Sequence, residues 1–266
     1  MQAAPSDQPE LHLERDGDIG FITASNPARM NAFTAAMWDA VPRRIAAAEA
    51  DAAIRVIVLR GAGTRAFSAG ADISEFESAR SGDAAAAYDA LNDAAFRALS
   101  GCSKPIIAMI HGFCLGGGLA VALCADIRIA DDVAQFAIPA AKLGLGYNAR
   151  WMRPLLAAVP PARAKELLFT GRRFKVVEAL SMGLVNTVVT AGELEDTTRA
   201  LAREIAANAP LTVRAAKRTI DELTRNPQTP DLEALDAAVA ACFTSEDYAE
   251  GRLAFMEKRK PDFKGR

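Results

Sequence analysis

The chain has 266 residues, of which 51% are hydrophobic and 24% charged, so it can build a large core and is not disordered as a whole. Thirty-one Lys and Arg face 33 Asp and Glu, which excludes the basic excess of a nucleic-acid-binding protein or a polybasic membrane anchor. With two histidines in all, we expect no metal site.

The first ten residues are polar and predict a loose tail, which would include the nearby His12, without a secretion signal or transit peptide. The cysteines form no CxxC pair, and we expect reduced thiols in the core of a cytoplasmic protein. They are Cys102, Cys114, Cys124 and Cys242.

Strands and helices alternate over the first 190 residues. Runs rich in β-branched residues predict strands at Ile19–Thr23, Ile54–Arg60, Ile106–Ile110, Ile127–Ala130, Gln135–Ile138 and Leu184–Val189. Apolar residues at helical spacing predict helices at Thr34–Ala50, Asp83–Ser100 and Gly117–Ala125. Pro42 predicts a kink or break in the first of these helices.

Helices alone follow after about residue 190, at Glu193–Asn208, Leu211–Thr224, Leu232–Cys242 and Ser245–Lys258. Thr244 and Asp247 fit a capping box at the last one. We therefore predict an α/β core over residues 1–190 and a helical C-terminal region over residues 191–266.

The stretch between Lys104 and Asp126 carries no Asp, Glu, Lys or Arg and approaches the length of a membrane-spanning helix. Pro105, Gly112 and a glycine triplet interrupt it, so a buried strand, a turn and a buried helix explain it better. His111 in this run is interpreted as a hydrogen-bonded structural residue rather than a catalytic partner of Ser or Cys.

Two glycine-containing loops could carry chemistry. One spans Phe67–Ile73, with the sequence FSAGADI, and the other spans His111–Ala120, with the sequence HGFCLGGGLA. Facing each other, they could direct two backbone N–H groups at one carbonyl oxygen, although two tight turns would explain the same spacing at least as well. Gly61–Ala66 matches a dinucleotide-binding fingerprint, but a turn-like segment follows where that motif needs a helix.

These two loops resemble those of the crotonase family, also called the enoyl-CoA hydratase/isomerase family. Further similar segments are Asn26–Ala32, Gln135–Gly144, Ala164–Gly171, Ala179–Val185 and the ending EDYAEGRLAFMEKRKPDF. The resemblance implies a spiral of ββα units and a C-terminal helical region that builds homotrimers, often paired into hexamers. It also implies an acyl-CoA thioester as substrate, with no cofactor beyond its coenzyme A.

The resemblance further assigns the site. Ala71 and Gly117 would supply the oxyanion-hole N–H groups that hold the thioester oxygen as an enolate forms. The implied CoA-binding residues are Arg29 at the entrance, Ala69, Asp72 and Ile73 beside adenine and pantetheine, Gly116, and Phe255 and Lys258 reaching a neighbouring subunit's CoA.

The sequence departs from the family where its hydratases carry two catalytic glutamates, because Ala120 and Ala140 stand there. A later position that is acidic in some members is Asn148. Tyr147 and Asn148 resemble a pair in methylmalonyl-CoA-decarboxylase-like members, which however carry His where Ala71 stands.

Three functions therefore stay open: a hydratase or isomerase with unusual acid–base groups, a decarboxylase or thioester hydrolase, and a weakly active acyl-CoA-binding homologue. Tyr147 would be a proton donor or a pocket-wall aromatic. The acids Asp72, Glu75 and Glu77 are interpreted as solvated or CoA-flanking charges.

Overall fold

The computed structural model describes residues 8–75 and 83–266, and the side chains of residues 83–85 lie outside that description. Among these residues, ten strands lie in two sheets. Their bounds are β1 Glu10–Asp16, β2 Ile19–Ser25, β3 Val56–Gly61, β4 Ala66–Ser68, β5 Ile106–Ile110, β6 Phe113–Leu115, β7 Ile127–Asp131, β8 Gln135–Ala137, β9 Phe174–Lys175 and β10 Thr187–Val189.

The helices of the described residues fall into two groups. Those of the core are α1 Ala35–Ala50, α2 Asp83–Gly101, α3 Gly117–Leu123, α4 Ala149–Ala158, α5 Pro161–Thr170 and α6 Val176–Ser181. The C-terminal ones are α7 Leu194–Ala206, α8 Pro210–Arg225, α9 Leu232–Phe243 and α10 Glu246–Glu257. Helices alone follow β10, as the sequence predicts.

The two sheets are built by a spiral path of the chain. One sheet has the order β1-β2-β3-β5-β7-β10 and the other β4-β6-β8-β9. The pairs β3/β4, β5/β6 and β7/β8 each place one strand in the first sheet and the next strand in the second. Because these strands are parallel within each sheet, their carboxyl ends and the loops that follow them gather at one side. The expected spiral of ββα units is confirmed.

Both faces of the larger sheet are covered, which explains its continuous apolar strands. Along β3, Ile57 and Leu59 pack into the main core, whereas Val56 and Val58 pack on the other face with residues of α7. Cys102, Cys114 and Cys124 are free and buried, and burial raises the pKa of each thiol, to about 11 for Cys102 and Cys124. They are therefore unreactive core residues. Cys242, which is also free, is only partly buried rather than in the core as expected.

Several sequence predictions are wrong in detail. His12 lies in β1 rather than in a loose tail, and pairs with Thr23 of β2. Helix α1 continues through Pro42 without a break, because its buried face, which includes Trp38 and Ile45, packs into the core. The last helix is capped by the Ser245 side chain, which accepts from the Tyr248 amide at 3.1 Å, so the predicted capping box does not form.

The Asp247 carboxylate serves a different purpose. It is 2% exposed and accepts hydrogen bonds from the amides of Lys264 and Gly265 at 2.6 and 2.8 Å. Arg55, just before β3, donates to the carbonyls of Ala206 and Phe263. These charge-assisted bonds fasten residues 263–265 and α10 to the sheet. No helix within the described ranges is long and apolar enough to cross a membrane.

Candidate active site

The first loop of the site runs from the end of β4 to Asp72, and a single bridge to Phe33 fixes its shape. The Phe33 amide donates to the Gly70 carbonyl at 2.7 Å, and the Asp72 amide donates to the Phe33 carbonyl at 2.9 Å. These bonds engage the peptide groups on either side of Ala71. Because the Gly70 carbonyl points toward Phe33, the Ala71 N–H of the same peptide group points away from Phe33. That N–H has no acceptor among the described residues.

The second loop leads from β6 into α3. Gly116 adopts a positive φ of 52° that favours glycine, and its amide donates to the Ala137 carbonyl at 2.8 Å. Gly117 is the first residue of α3, where a helical N–H finds no acceptor in its own helix. Within the described part of the chain, the Gly117 N–H is therefore available to a ligand.

The two loops approach each other so closely that only glycine fits between them. A Cβ on Gly70 would lie 2.9 Å from the Leu115 carbonyl oxygen and 3.1 Å from the Gly117 nitrogen. A Cβ on Gly117 would lie 3.5 Å from the Ala71 nitrogen. The structure thus brings the amides of Ala71 and Gly117 together, as the resemblance implies. Two such donors can bind one oxygen atom that gains negative charge.

A row of aromatic rings extends from this point. The ring of Trp38 would lie 3.2 Å from a Cβ on Gly117, and its Nε1 donates to the buried Tyr88 hydroxyl at 3.0 Å. From Trp38 the ring centroids follow at 5.6 Å to Phe96, 5.7 Å from Phe96 to Trp151, and 5.7 Å from Trp151 to Tyr147. These distances are typical of favourable tilted or edge-to-face pairs.

Tyr147 presents a buried hydroxyl at the end of this row. Its Oη has no hydrogen-bond partner among the described residues. Burial, together with the nearby Cys124 thiol, raises the pKa of Tyr147 above its ordinary value, so the hydroxyl stays protonated and can donate. The Tyr147 ring packs against the main core, to which Leu119 and Leu123 of α3 belong. An unpartnered buried hydroxyl costs about 1–3 kcal/mol.

Asn148 has a structural task beside Tyr147. Its side-chain oxygen accepts from the Arg150 amide at 3.0 Å and caps α4. The alanines at the two positions discussed above are both buried, Ala120 at 4% and Ala140 at 6% exposure. Neither can exchange a proton.

The acids near the first loop are already engaged. The Asp72 carboxylate accepts from the amide and the hydroxyl of Ser74 at 3.0 and 2.7 Å. Burial raises the pKa of Asp72, but these bonds and the charge of Arg29 outweigh it and lower the pKa overall. The Glu75 carboxylate accepts from the Ala35 amide at 2.7 Å. Glu77 lies outside the described residues.

The implied CoA-binding residues fall into two groups. Ala69 donates its amide to the Met30 carbonyl at 2.9 Å, which places the loop of Arg29 beside the loop of Asp72. Ile73 follows with 64% exposure. Phe255 and Lys258 instead lie on and just after α10, Phe255 is 86% exposed, and no described hydrogen bond, ion pair or ring contact joins them to these loops.

His111 precedes the second loop and is 8% exposed. Burial lowers the pKa of its imidazole, which a backbone hydrogen bond with Ala66 opposes, and Nε2 has no partner among the described residues. Within those residues, no group of three or more His, Cys, Asp or Glu side chains could hold a metal ion.

Sequence reasoning missed Trp38, Phe96, Trp151 and Asp93 as parts of the site. They come from α1, α2 and α4, whose packing against one another no local pattern reveals.

Comparison with known proteins identifies the relatives of this chain. The family model described as enoyl-CoA hydratase/isomerase matches residues 14–266. A short-chain-enoyl-CoA hydratase of Clostridium acetobutylicum is 35% identical, covering 96% of this chain and 97% of the relative. A carnitinyl-CoA dehydratase of Salmonella arizonae is 38% identical, over 96% and 98%. A solved enoyl-CoA hydratase/carnithine racemase of Magnetospirillum magneticum superposes with a TM-score of 0.90 at 37% identity, covering 96% of each chain.

Proposed function

Because the chain belongs to the enoyl-CoA hydratase/isomerase family, we propose that its two glycine loops bind an acyl-CoA thioester and stabilise the enolate of that thioester. The observation that carries the proposal is the close approach of the Ala71 and Gly117 amides. As electrons move onto the thioester oxygen, both N–H groups donate to it, and removing one such donor costs about 10²–10³ in rate.

The same proposal assigns contacts with the CoA moiety to the other residues that the resemblance implies. Arg29, Ala69, Asp72, Ile73 and Gly116 border the CoA moiety, and no group beyond the CoA thioester is needed. Phe255 and Lys258 reach the CoA of a neighbouring subunit in a homotrimer or a hexamer. The free cysteines fit a reducing, cytoplasmic compartment.

The proton in this mechanism comes from Tyr147. With alanine at positions 120 and 140, the neutral Tyr147 hydroxyl is the buried donor, and it protonates the α-carbon of the enolate. In hydration the water oxygen adds to the β-carbon, and the proton that this water loses returns to the Tyr147 phenolate. Asn148, which caps α4, sets the backbone that carries Tyr147. General acid catalysis of this kind is worth about 10²–10⁴ in rate. In this form the protein is a hydratase or dehydratase with an unusual acid–base set.

The missing carboxylates favour a second candidate, decarboxylation of a malonyl-type thioester. There the electron pair of the C–C bond flows into the thioester as CO2 leaves, so the enolate forms without a base. Tyr147 then protonates the α-carbon, and the oxyanion hole has the same role. Thioester hydrolysis, or thioester binding without turnover, would use the same two loops.

Mass spectrometry of crotonyl-CoA and malonyl-CoA, each incubated with the purified protein, separates these reactions. Addition of water to crotonyl-CoA identifies hydration, and loss of CO2 from malonyl-CoA identifies decarboxylation. We expect Ala71→Pro, which removes one N–H donor, to lower either rate by about 10²-fold or more while the protein stays folded by circular dichroism. An unchanged rate in a folded Ala71→Pro variant would refute the oxyanion hole, and tight thioester binding without turnover would favour the binding protein.

A further inference from the structure

Asp93 on α2 connects this helix to the segment that carries Tyr147. Its Oδ1 accepts from the Trp151 Nε1 at 3.2 Å, and its Oδ2 accepts from Arg150. The Asp93 side chain is 12% exposed, so the carboxylate is largely removed from water. One acidic group therefore fixes the start of α4 through two side chains.

Trp151 is the intermediate between Asp93 and Tyr147. Its ring packs between Phe96 of α2 and Tyr147, and meets Tyr147 edge to face at 83°. The Tyr147 hydroxyl has no hydrogen bond among the described residues that would fix it. The position of that hydroxyl therefore depends on the ring of Trp151, whose indole N–H is held by Asp93.

We propose that Asp93 is a positioning residue for the reaction, which through Trp151 aims the Tyr147 hydroxyl at the substrate. The proposal rests on the proposed role of Tyr147 as proton donor. Displacing a catalytic group by about 1 Å can cost about 10²-fold in rate. The bond to Trp151 matters more than the ion pair, because Arg150 is 71% exposed and exposed ion pairs contribute little.

A double-mutant cycle tests this role. We expect Asp93→Ala to lower kcat at least tenfold with little change in KM, because the CoA-binding loops are not altered. In a Tyr147→Phe background the same substitution is expected to lower kcat less than twofold, because no hydroxyl remains to be positioned. Asp93→Asn keeps an oxygen that accepts from Trp151, so it is expected to restore most of the rate.

Asp89 provides the matched control, since it is an exposed carboxylate one turn earlier on the same helix. Asp89→Ala is expected to leave kcat unchanged. Crotonyl-CoA and malonyl-CoA are the substrates, and thermal unfolding of every variant confirms folding. If Asp93→Ala lowered kcat equally in both backgrounds, or not at all, the positioning role would be wrong while the proposed function stood. If the wild-type protein converted neither thioester, the catalytic roles of Tyr147 and Asp93 would fail together, and thioester binding alone would remain.

Discussion

Single residues decide how close the two loops of the site can come. Gly70 has a φ of +103°, and a Cβ there would press against the Leu115 carbonyl and the Gly117 amide. Gly63 has a φ of +70°, but a Cβ there would meet nothing within 4 Å. Alanine at either position would strain the backbone, but only at Gly70 would its Cβ also push the two loops apart.

We expect Gly70→Ala to part the loops and to lower turnover by about 10²-fold, the effect of losing one oxyanion donor. Gly63→Ala should cost only about 1–2 kcal/mol of stability, from the left-handed backbone, and leave the rate unchanged. Steady-state rates and thermal unfolding of both variants check this. If the Gly70→Ala variant turned over substrate as fast as the Gly63→Ala variant, the contact between the loops would not be needed to form the site.

His111 couples stability to pH. Burial lowers the pKa of its imidazole in the folded protein below that of the unfolded chain, so in the intervening pH range the unfolded state binds more protons. The stability contributed by the neutral imidazole is therefore complete above about pH 6.5 and declines as the pH falls toward the folded-state pKa. Urea unfolding of the wild type and of His111→Gln between about pH 7.5 and 5 tests this. We expect a steeper loss for the wild type, and parallel curves would contradict it.

At the scale of elements, sequence patterns revealed the long buried strands and the C-terminal helices, but among the short strands only β8 and β10. The apolar runs of β3 and β5 and the helices after β10 carry enough residues to show a period. The strands β4, β6 and β9 have two or three residues each and owe their existence to pairing within the smaller sheet. Pro42 shows the same limit, since burial of one face of α1 outweighed a local helix breaker.

The candidate site was predictable only where loops carry it. The segments FSAGADI and HGFCLGGGLA are continuous motifs whose residues are constrained by backbone contacts. The resemblance of these motifs to those of the family assigned the amides of Ala71 and Gly117. The aromatic row and Asp93 depend on how α1, α2 and α4 pack side by side. Such long-range contacts leave no periodic signal in the sequence.

At the scale of the whole molecule, the C-terminal helices leave an apolar surface uncovered. An open groove of about 910 Å³ lies among α8, α9 and α10. Around it, exposed apolar side chains include Ile220, Phe243, Phe255 and Met256, each at least 60% exposed. Apolar patches of this kind mark contact surfaces between proteins. The surface supports the proposed homotrimer, with α10 delivering Phe255 and Lys258 to a neighbouring copy.

Phe255→Glu tests this assembly, because a carboxylate buried in an apolar contact without a partner costs several kcal/mol. We expect the wild type to sediment as a trimer or a hexamer and Phe255→Glu to sediment as smaller species. Val133→Glu is the control, since Val133 is 63% exposed on the turn between β7 and β8, far in sequence from these helices. The Val133→Glu variant should keep the wild-type mass.

The assembly is also linked to the site. If Phe255 contacts a neighbour's CoA, the affinity of the Phe255→Glu variant for CoA, measured by calorimetry, falls as the trimer is lost. Loss of the trimer with unchanged CoA affinity would show that α10 serves assembly alone and does not contribute to the CoA site.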